Sequence, residues 1–286
     1  MSSQLPILIT AEALREWQAV VPDVRIIDCQ AFLSDPDAGR RSWLEAHIPG
    51  AVHADLEKDL SGPVSADTGR HPLPDPMALA EKLGSWGVSM EVPVVVYDDA
   101  GGAFAVRCWW LLRWLGHTSV AVLDGGLKAW QDSGGELARG PESMRPVRFE
   151  ATPGQMPTLS SDEVQAALTQ EDLRLIDARG AARFNGEEEP IDPVAGHVPG
   201  AVNLPFSENL DAQGCWRSPE DLKARFEAVL PPFDTGQTAH MCGSGITACH
   251  NLFAMELAGL NGSALYTGSW SEWIRDPARP VVTGDG

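Results

Sequence analysis

The sequence predicts an α/β fold in two tandem copies, each a doubly wound parallel sheet flanked by helices. Three observations carry this. Short apolar runs that read as buried strands alternate with helical patterns, and parallel strands need such crossover connections. A set of segments recurs along the chain: His47 to His197 spans 150 positions and Gly125 to Gly268 spans 143. Finally, 286 residues are enough for two domains, each with its own core.

The elements follow in order. Thr10 is placed to cap a helix opening at Ala11, and Val24-Arg25-Ile26-Ile27-Asp28 reads as a strand. Ser160-Ser161-Asp162-Glu163 has the form of a capping box, and Arg174-Leu175-Ile176-Asp177 is the matching strand. The turn His47-Ile48-Pro49-Gly50 returns as His197-Val198-Pro199-Gly200, and both histidines read as loop-fixing residues. Asp75-Pro76 and Ser218-Pro219 each start a helix with proline at its first position. Val92 to Tyr97 is the clearest strand, and its counterpart leads into Cys242. Gly125-Gly126-Leu127-Lys128-Ala129-Trp130 matches Gly268-Ser269-Trp270-Ser271-Glu272-Trp273. Regular spacing of this kind marks an internal duplication. The first domain is placed at residues 1–140 and the second at 158–286. The aperiodic Gly, Pro, Arg and Glu-containing stretch at 141–157 serves as linker.

A net charge of −19 argues against nucleic acid, whose phosphates need a basic face, and against an anionic membrane surface. No apolar run reaches a transmembrane length, and the N-terminus has no basic region followed by an apolar core. Five scattered cysteines read as reduced thiols in a cytoplasmic protein, with no spacing that suggests zinc. No cofactor and no metal are expected.

The stretch with chemistry in it is Ala239-His240-Met241-Cys242-Gly243-Ser244-Gly245-Ile246-Thr247-Ala248. A strand ends at the cysteine, small residues turn the chain, and a helical pattern runs from Ile246 to Leu257. Backbone N–H groups and a helix N-terminus would then point at one sulfur and favour negative charge there, which suits a nucleophile. Gly243 and Gly245 keep side chains out of the cradle. A buried structural cysteine at a glycine turn is the alternative. Cys249, two helical turns on, reads as a buried helical thiol.

The six residues Cys242-Gly243-Ser244-Gly245-Ile246-Thr247, followed by Ala248, resemble the active-site loop of the rhodanese superfamily, in the form seen in 3-mercaptopyruvate sulfurtransferases. Together with the duplicated segments, the resemblance covers almost the whole chain. It implies two tandem rhodanese-like domains and an enzyme that moves sulfane sulfur from a small-molecule donor, 3-mercaptopyruvate or thiosulfate, through a Cys242 persulfide. The acceptor would be cyanide or a thiol, thioredoxin among them. The first copy carries Asp98 where the second has Cys242, and a carboxylate cannot form a persulfide, so that copy is expected to be catalytically silent. The resemblance further implies that Arg183, with Arg179 beside it, grips the anionic part of the donor, which a guanidinium fork suits. It implies that Gly243, Gly245, Ile246 and Thr247 line the donor, and that Glu57, His71 and Ser244 form a proton relay near the cysteine. The mercaptopyruvate enzymes usually carry a second substrate arginine nine positions after the first, where this chain has Asp192 in a loop made acidic by Glu187, Glu188 and Glu189. Thiosulfate-using relatives tolerate an acid there but usually have basic residues in the cysteine loop. The reading is therefore a 3-mercaptopyruvate sulfurtransferase, with a thiosulfate:cyanide sulfurtransferase as the alternative. A non-catalytic persulfide carrier would use the same cradle. A cysteine phosphatase fails because the position of its phosphate-holding arginine is Ala248. Trp270 and Trp273 are expected to pack over the second domain and line a cleft.

Overall fold

The structure is a computed structural model and describes residues 5–21 and 23–284. The first half contains β1 (Leu8–Ile9), α1 (Ala11–Val20), β2 (Arg25–Asp28), α2 (Ala38–Glu45), β3 (Ala51–His53), α3 (Pro76–Ser85), β4 (Val94–Tyr97), α4 (Ala105–Trp114), β5 (Val120–Leu123) and α5 (Gly126–Asp132). The second half contains β6 (Thr158–Leu159), α6 (Ser161–Thr169), β7 (Arg174–Asp177), α7 (Ala181–Phe184), β8 (Val202–Asn203), α8 (Pro219–Glu227), β9 (Thr238–Met241), α9 (Ala248–Leu257), β10 (Ala264–Tyr266) and α10 (Ser269–Trp273). The chain forms two compact units. Among the described residues, the first comprises 5–21, 23–62, 74–155 and 212–215, and the second 63–73, 156–211 and 216–284.

Each unit has one five-stranded parallel sheet. The strand orders are β1-β5-β4-β2-β3 and β6-β10-β9-β7-β8, the same topology written twice. The register is preserved as well, Asp28 pairing with Tyr97 in one sheet and Asp177 with Met241 in the other. Local chemistry sets the helix starts. Thr10 Oγ1 accepts from the Ala13 N–H, and Asp75 accepts from Met77 and Ala78. Ser160 and Glu163 close a reciprocal capping box at α6.

Strands buried on both faces tend to read as near-continuous apolar runs, and Val94 to Tyr97 is such a run and fully buried. The helices after the central strands are also buried: eight of the ten residues in α4, and eight of ten in α9. The sequence pattern starts a helix at Ile246, whereas α9 begins at Ala248. Cys249 and His250 donate three residues back to Ile246 and Thr247, so the first turn is tighter than an α-helix. The turn histidines are fixed alike, His47 Nδ1 at 2.6 Å from the Trp43 carbonyl and His197 Nδ1 at 2.8 Å from that of Phe184. Trp270 and Trp273 are core residues, 0% and 1% exposed, and do not form the cleft wall expected of them. Their rings fill the space beneath α10, packed with Val164, Leu175, Val198 and Tyr266.

In the second sheet β9 runs on through α9 to β10, while β7 leads the other way to β8. The direction of winding therefore reverses between β7 and β9. At such a switch point the loops beyond the strand ends part and leave room for a ligand. The loop after β7 carries Arg179 and leads into α7, which carries Arg183, and the loop after β9 carries Cys242.

Candidate active site

The loop from Cys242 to Thr247 turns back on the sulfur through Gly245. The Gly245 N–H donates to Cys242 Sγ at 3.1 Å, and Gly245 has φ +82°, which a side chain would strain. Helix α10 clamps the loop from below. Trp270 N–H donates to the Cys242 carbonyl at 3.0 Å and Ser271 N–H to that of Gly243 at 2.9 Å. Ser269 Oγ accepts from the Cys242 N–H at 3.1 Å. From the α9 side, the Cys249 thiol donates to the Gly245 carbonyl at 3.5 Å. Cys242 is buried at 1% exposure, and Ile246 is buried beside it.

The equivalent loop in the first unit shows what this backbone favours. There Asp98 takes the cysteine's place. Its carboxylate accepts four backbone N–H bonds, from Ala100, Gly102, Phe104 and Ala105, each 2.8 Å long. The loop is an anion nest, and the first copy fills it with its own side chain.

Ser244 and His71 meet. His71 Nδ1 lies 2.7 Å from Ser244 Oγ, and both residues are buried. His71 arrives on the 63–73 segment, which belongs to the second unit although it lies in the first half of the sequence. Glu57, in contrast, belongs to the first unit. It is exposed in a turn where its N–H donates to Asp55 Oδ1.

The two arginines that follow β7 differ. Arg179 is closed into the domain, its side chain 1% exposed. Its Nε and Nη2 donate to Asp177, Nη2 also donates to the Gly196 carbonyl, and the guanidinium lies 4.6 Å over the Trp270 ring. The first unit makes the same local arrangement with an uncharged residue, Gln30 bonding Asp28. Arg183 reaches the cysteine loop. Built onto Gly243, a Cβ would meet Arg183 Nη2 at 3.5 Å and Nη1 at 3.6 Å. Arg183 also holds Glu189 by two bonds, Nε to Oε2 at 3.2 Å and Nη2 to Oε1 at 2.7 Å, and Asp192 Oδ2 at 3.2 Å.

Sequence reasoning missed a second guanidinium here. Arg70 Nη2 lies 3.0 Å from the same Cβ position on Gly243, and Arg70 Nη1 donates to Asp192 Oδ1. Burial pulls its guanidinium below the usual range and Arg183 adds to this, while a Cys242 thiolate would act the other way. The available signal was Gly69, where a Cβ would collide with the Gly268 carbonyl at 2.5 Å, so only glycine lets this segment approach α10. Among the described residues, no cluster of His, Cys, Asp and Glu could hold a metal ion.

A rhodanese-like domain model matches residues 10–133 and again 160–276. The chain is 51% identical over 280 residues to the probable 3-mercaptopyruvate sulfurtransferase of Pseudomonas aeruginosa, covering 97% of this chain and 98% of that protein. It is 35% identical over 285 residues to the thiosulfate sulfurtransferase of Bos taurus, covering 96% and 94%. The crystal structure of SseA from Escherichia coli, a 3-mercaptopyruvate sulfotransferase, superposes with a TM-score of 0.79 at 32% identity, over 93% of this chain and 99% of that one. With a repeated topology, one cysteine loop and relatives matched end to end, the chain belongs to the rhodanese family as a tandem of two rhodanese-like domains.

Proposed function

We propose that the protein transfers sulfane sulfur from 3-mercaptopyruvate to a thiophilic acceptor through a persulfide on Cys242. The observation that carries this reading is the Ser244–His71 pair beside a cysteine loop that has no charged side chain of its own. The Cys242 thiolate attacks the donor sulfur, forming an S–S bond as the C–S bond breaks. The electron pair leaves with the pyruvate enolate. That carbon needs a proton, and Ser244 supplies it while His71 makes good the loss. The resemblance adds Glu57 to this path. An acceptor thiolate or cyanide then attacks the outer sulfur and releases the Cys242 thiolate.

Charge balance favours this donor. Arg70 and Arg183 bring two positive charges to the loop, and Glu189 and Asp192, whose side chains are 4% exposed, bring two negative ones. A nearly neutral site suits one carboxylate better than the dianion thiosulfate. Arg179 enters the proposal as a positioning residue that holds Asp177 and the β7 loop, and Arg183 as a donor ligand. Ile246 and Thr247 turn the chain from the loop into α9. The reduced cysteines fit a cytoplasmic setting and a thiol acceptor such as thioredoxin.

The deciding experiment compares the two donors in steady state with cyanide as acceptor. 3-Mercaptopyruvate is expected to give the higher kcat/KM. Ser244→Ala is expected to lower kcat with mercaptopyruvate far more than with thiosulfate, whose sulfite leaving group needs no proton, and Glu57→Gln tests its place in the path by the same split. If thiosulfate is the faster donor, or Ser244→Ala slows both alike, the thiosulfate reading replaces this one. The carrier reading would gain if neither small donor loaded Cys242 while a persulfidated protein did.

A further inference from the structure

The carboxylate of Asp192 bridges two guanidiniums, one oxygen to each. Oδ1 accepts from Arg70 and Oδ2 from Arg183, while Glu189 takes the remaining edge of Arg183. The bridged pair lies against Gly243, next to the reactive cysteine, where a Cβ would stand 3.0 Å from one guanidinium and 3.5 Å from the other. Arg70 Nη2 and Arg183 Nη1 face that glycine and have no hydrogen-bond partner among the described residues.

The backbone of Arg70 is held as firmly as the cysteine loop itself. Its N–H donates to Ser271 Oγ at 3.0 Å, and the N–H of that same Ser271 holds the Gly243 carbonyl. One residue of α10 thus fixes both the cysteine loop and the base of Arg70. Gly69 permits the close approach, and His71 on the other side is tied to Ser244. An arginine placed this deliberately over a nucleophile, with two N–H groups still to satisfy, is a ligand for an anion.

We infer that Arg70 is a donor-binding residue, the second guanidinium of a two-arginine grip with Arg183, and that Asp192 is an internal carboxylate that braces the pair and competes with the donor for it. Asp192 stands at the position where a second arginine was expected from sequence. The missing charge comes instead from the 63–73 segment, and the acid at 192 is its partner. The anion bound is the negatively charged end of the donor, a carboxylate or a sulfonate, carried by the same molecule as the sulfur that Cys242 attacks. This rests on the reading of Cys242 as the sulfur acceptor but not on which donor it uses.

The test needs a probe that is independent of the donor. Iodoacetate and iodoacetamide alkylate the same thiolate and differ by one negative charge, so the ratio of their rates at Cys242 cancels any change in thiolate fraction. In Arg70→Gln this ratio is expected to fall by about tenfold or more, the scale of one lost charge-assisted contact, and to fall similarly in Arg183→Gln. Arg70→Lys is expected to recover part of it. Asp192→Asn, which keeps the shape and removes the competing charge, is expected to raise the ratio above wild type. With whichever donor is faster, Arg70→Gln is expected to raise KM more than it lowers kcat. An unchanged ratio in Arg70→Gln alongside a lowered one in Arg183→Gln overturns the inference, as does a ratio that falls in Asp192→Asn. A wild-type enzyme that ignores mercaptopyruvate overturns the donor assignment instead, and the alkylation ratio still judges Arg70.

Discussion

At Cys242 a serine hydroxyl can accept the same Gly245 N–H and occupy the same space, so Cys242→Ser is expected to leave folding intact. It cannot carry sulfane sulfur, and transfer is expected to cease. Mass spectrometry of the wild type after donor treatment checks the assignment, since Cys108 and Cys249 are buried helical thiols and should stay unmodified. Arg183 is the next most sensitive side chain. Truncation to alanine removes a charge-assisted contact worth about 1.5–3 kcal/mol, read as a rise in KM for an anionic donor. Arg183→Lys should recover only part, because an ammonium lacks the fork that here holds both oxygens of Glu189. The two neighbouring arginines separate by the same logic. Arg179→Ala should cost stability before it costs donor affinity, since its guanidinium is spent on Asp177, Gly196 and the Trp270 face.

The elements were legible where a local rule fixes them. Thr10, Asp75, Ser160 and Ser218 cap helices as their neighbours dictate, and Val94 to Tyr97 could only be a buried strand. Legibility failed where a contact joins distant segments. Arg70 acquires its role because Gly69 meets the Gly268 carbonyl, and no periodicity around position 70 announces that. Arg179 and Arg183 are the same residue type four apart, and only the depth of Asp177 tells the closed one from the open one. Strand β9 also carries a prediction of its own. His240 is wholly buried, its Nε2 at 3.0 Å from Met255 Sδ, and burial pulls its imidazole from 6.5 down to about 3. The folded chain keeps it neutral while the unfolded chain protonates it below about 6.5. Its contribution to stability is therefore complete above that pH and is lost progressively towards about 3. Buried His117 in the first unit, also shifted down by burial, acts with the same sign. Urea unfolding between pH 7 and pH 4 should show this fall, and His240→Leu should flatten the part that belongs to the second unit.

For the whole molecule, duplication explains more than composition does. Both sheets share one order and one register, and in both loops after the central strand backbone N–H groups meet the side chain that follows the strand, four at Asp98 and that of Gly245 at Cys242. The copies diverged in what stands there. Replacing Asp98 by alanine should leave sulfur transfer intact, because no step proposed here uses it. It should also destabilise the first unit, since four N–H groups lose their acceptor and each costs about 1–3 kcal/mol if buried without one. A lowered unfolding midpoint with unchanged kcat is the expected pair of results, and a large loss of kcat with normal folding would show that the first copy is not silent.

The carboxylate of Asp98 makes the first loop a receptor with its ligand permanently leashed. A freely diffusing anion would have to outcompete a carboxylate fixed in place on the same backbone, and groups positioned this way act at effective molarities far above millimolar. Sulfite, thiosulfate and keto acids should therefore leave that half alone at any practical concentration. Exhaustive loading should then titrate to a single sulfur per chain, whatever the excess of donor.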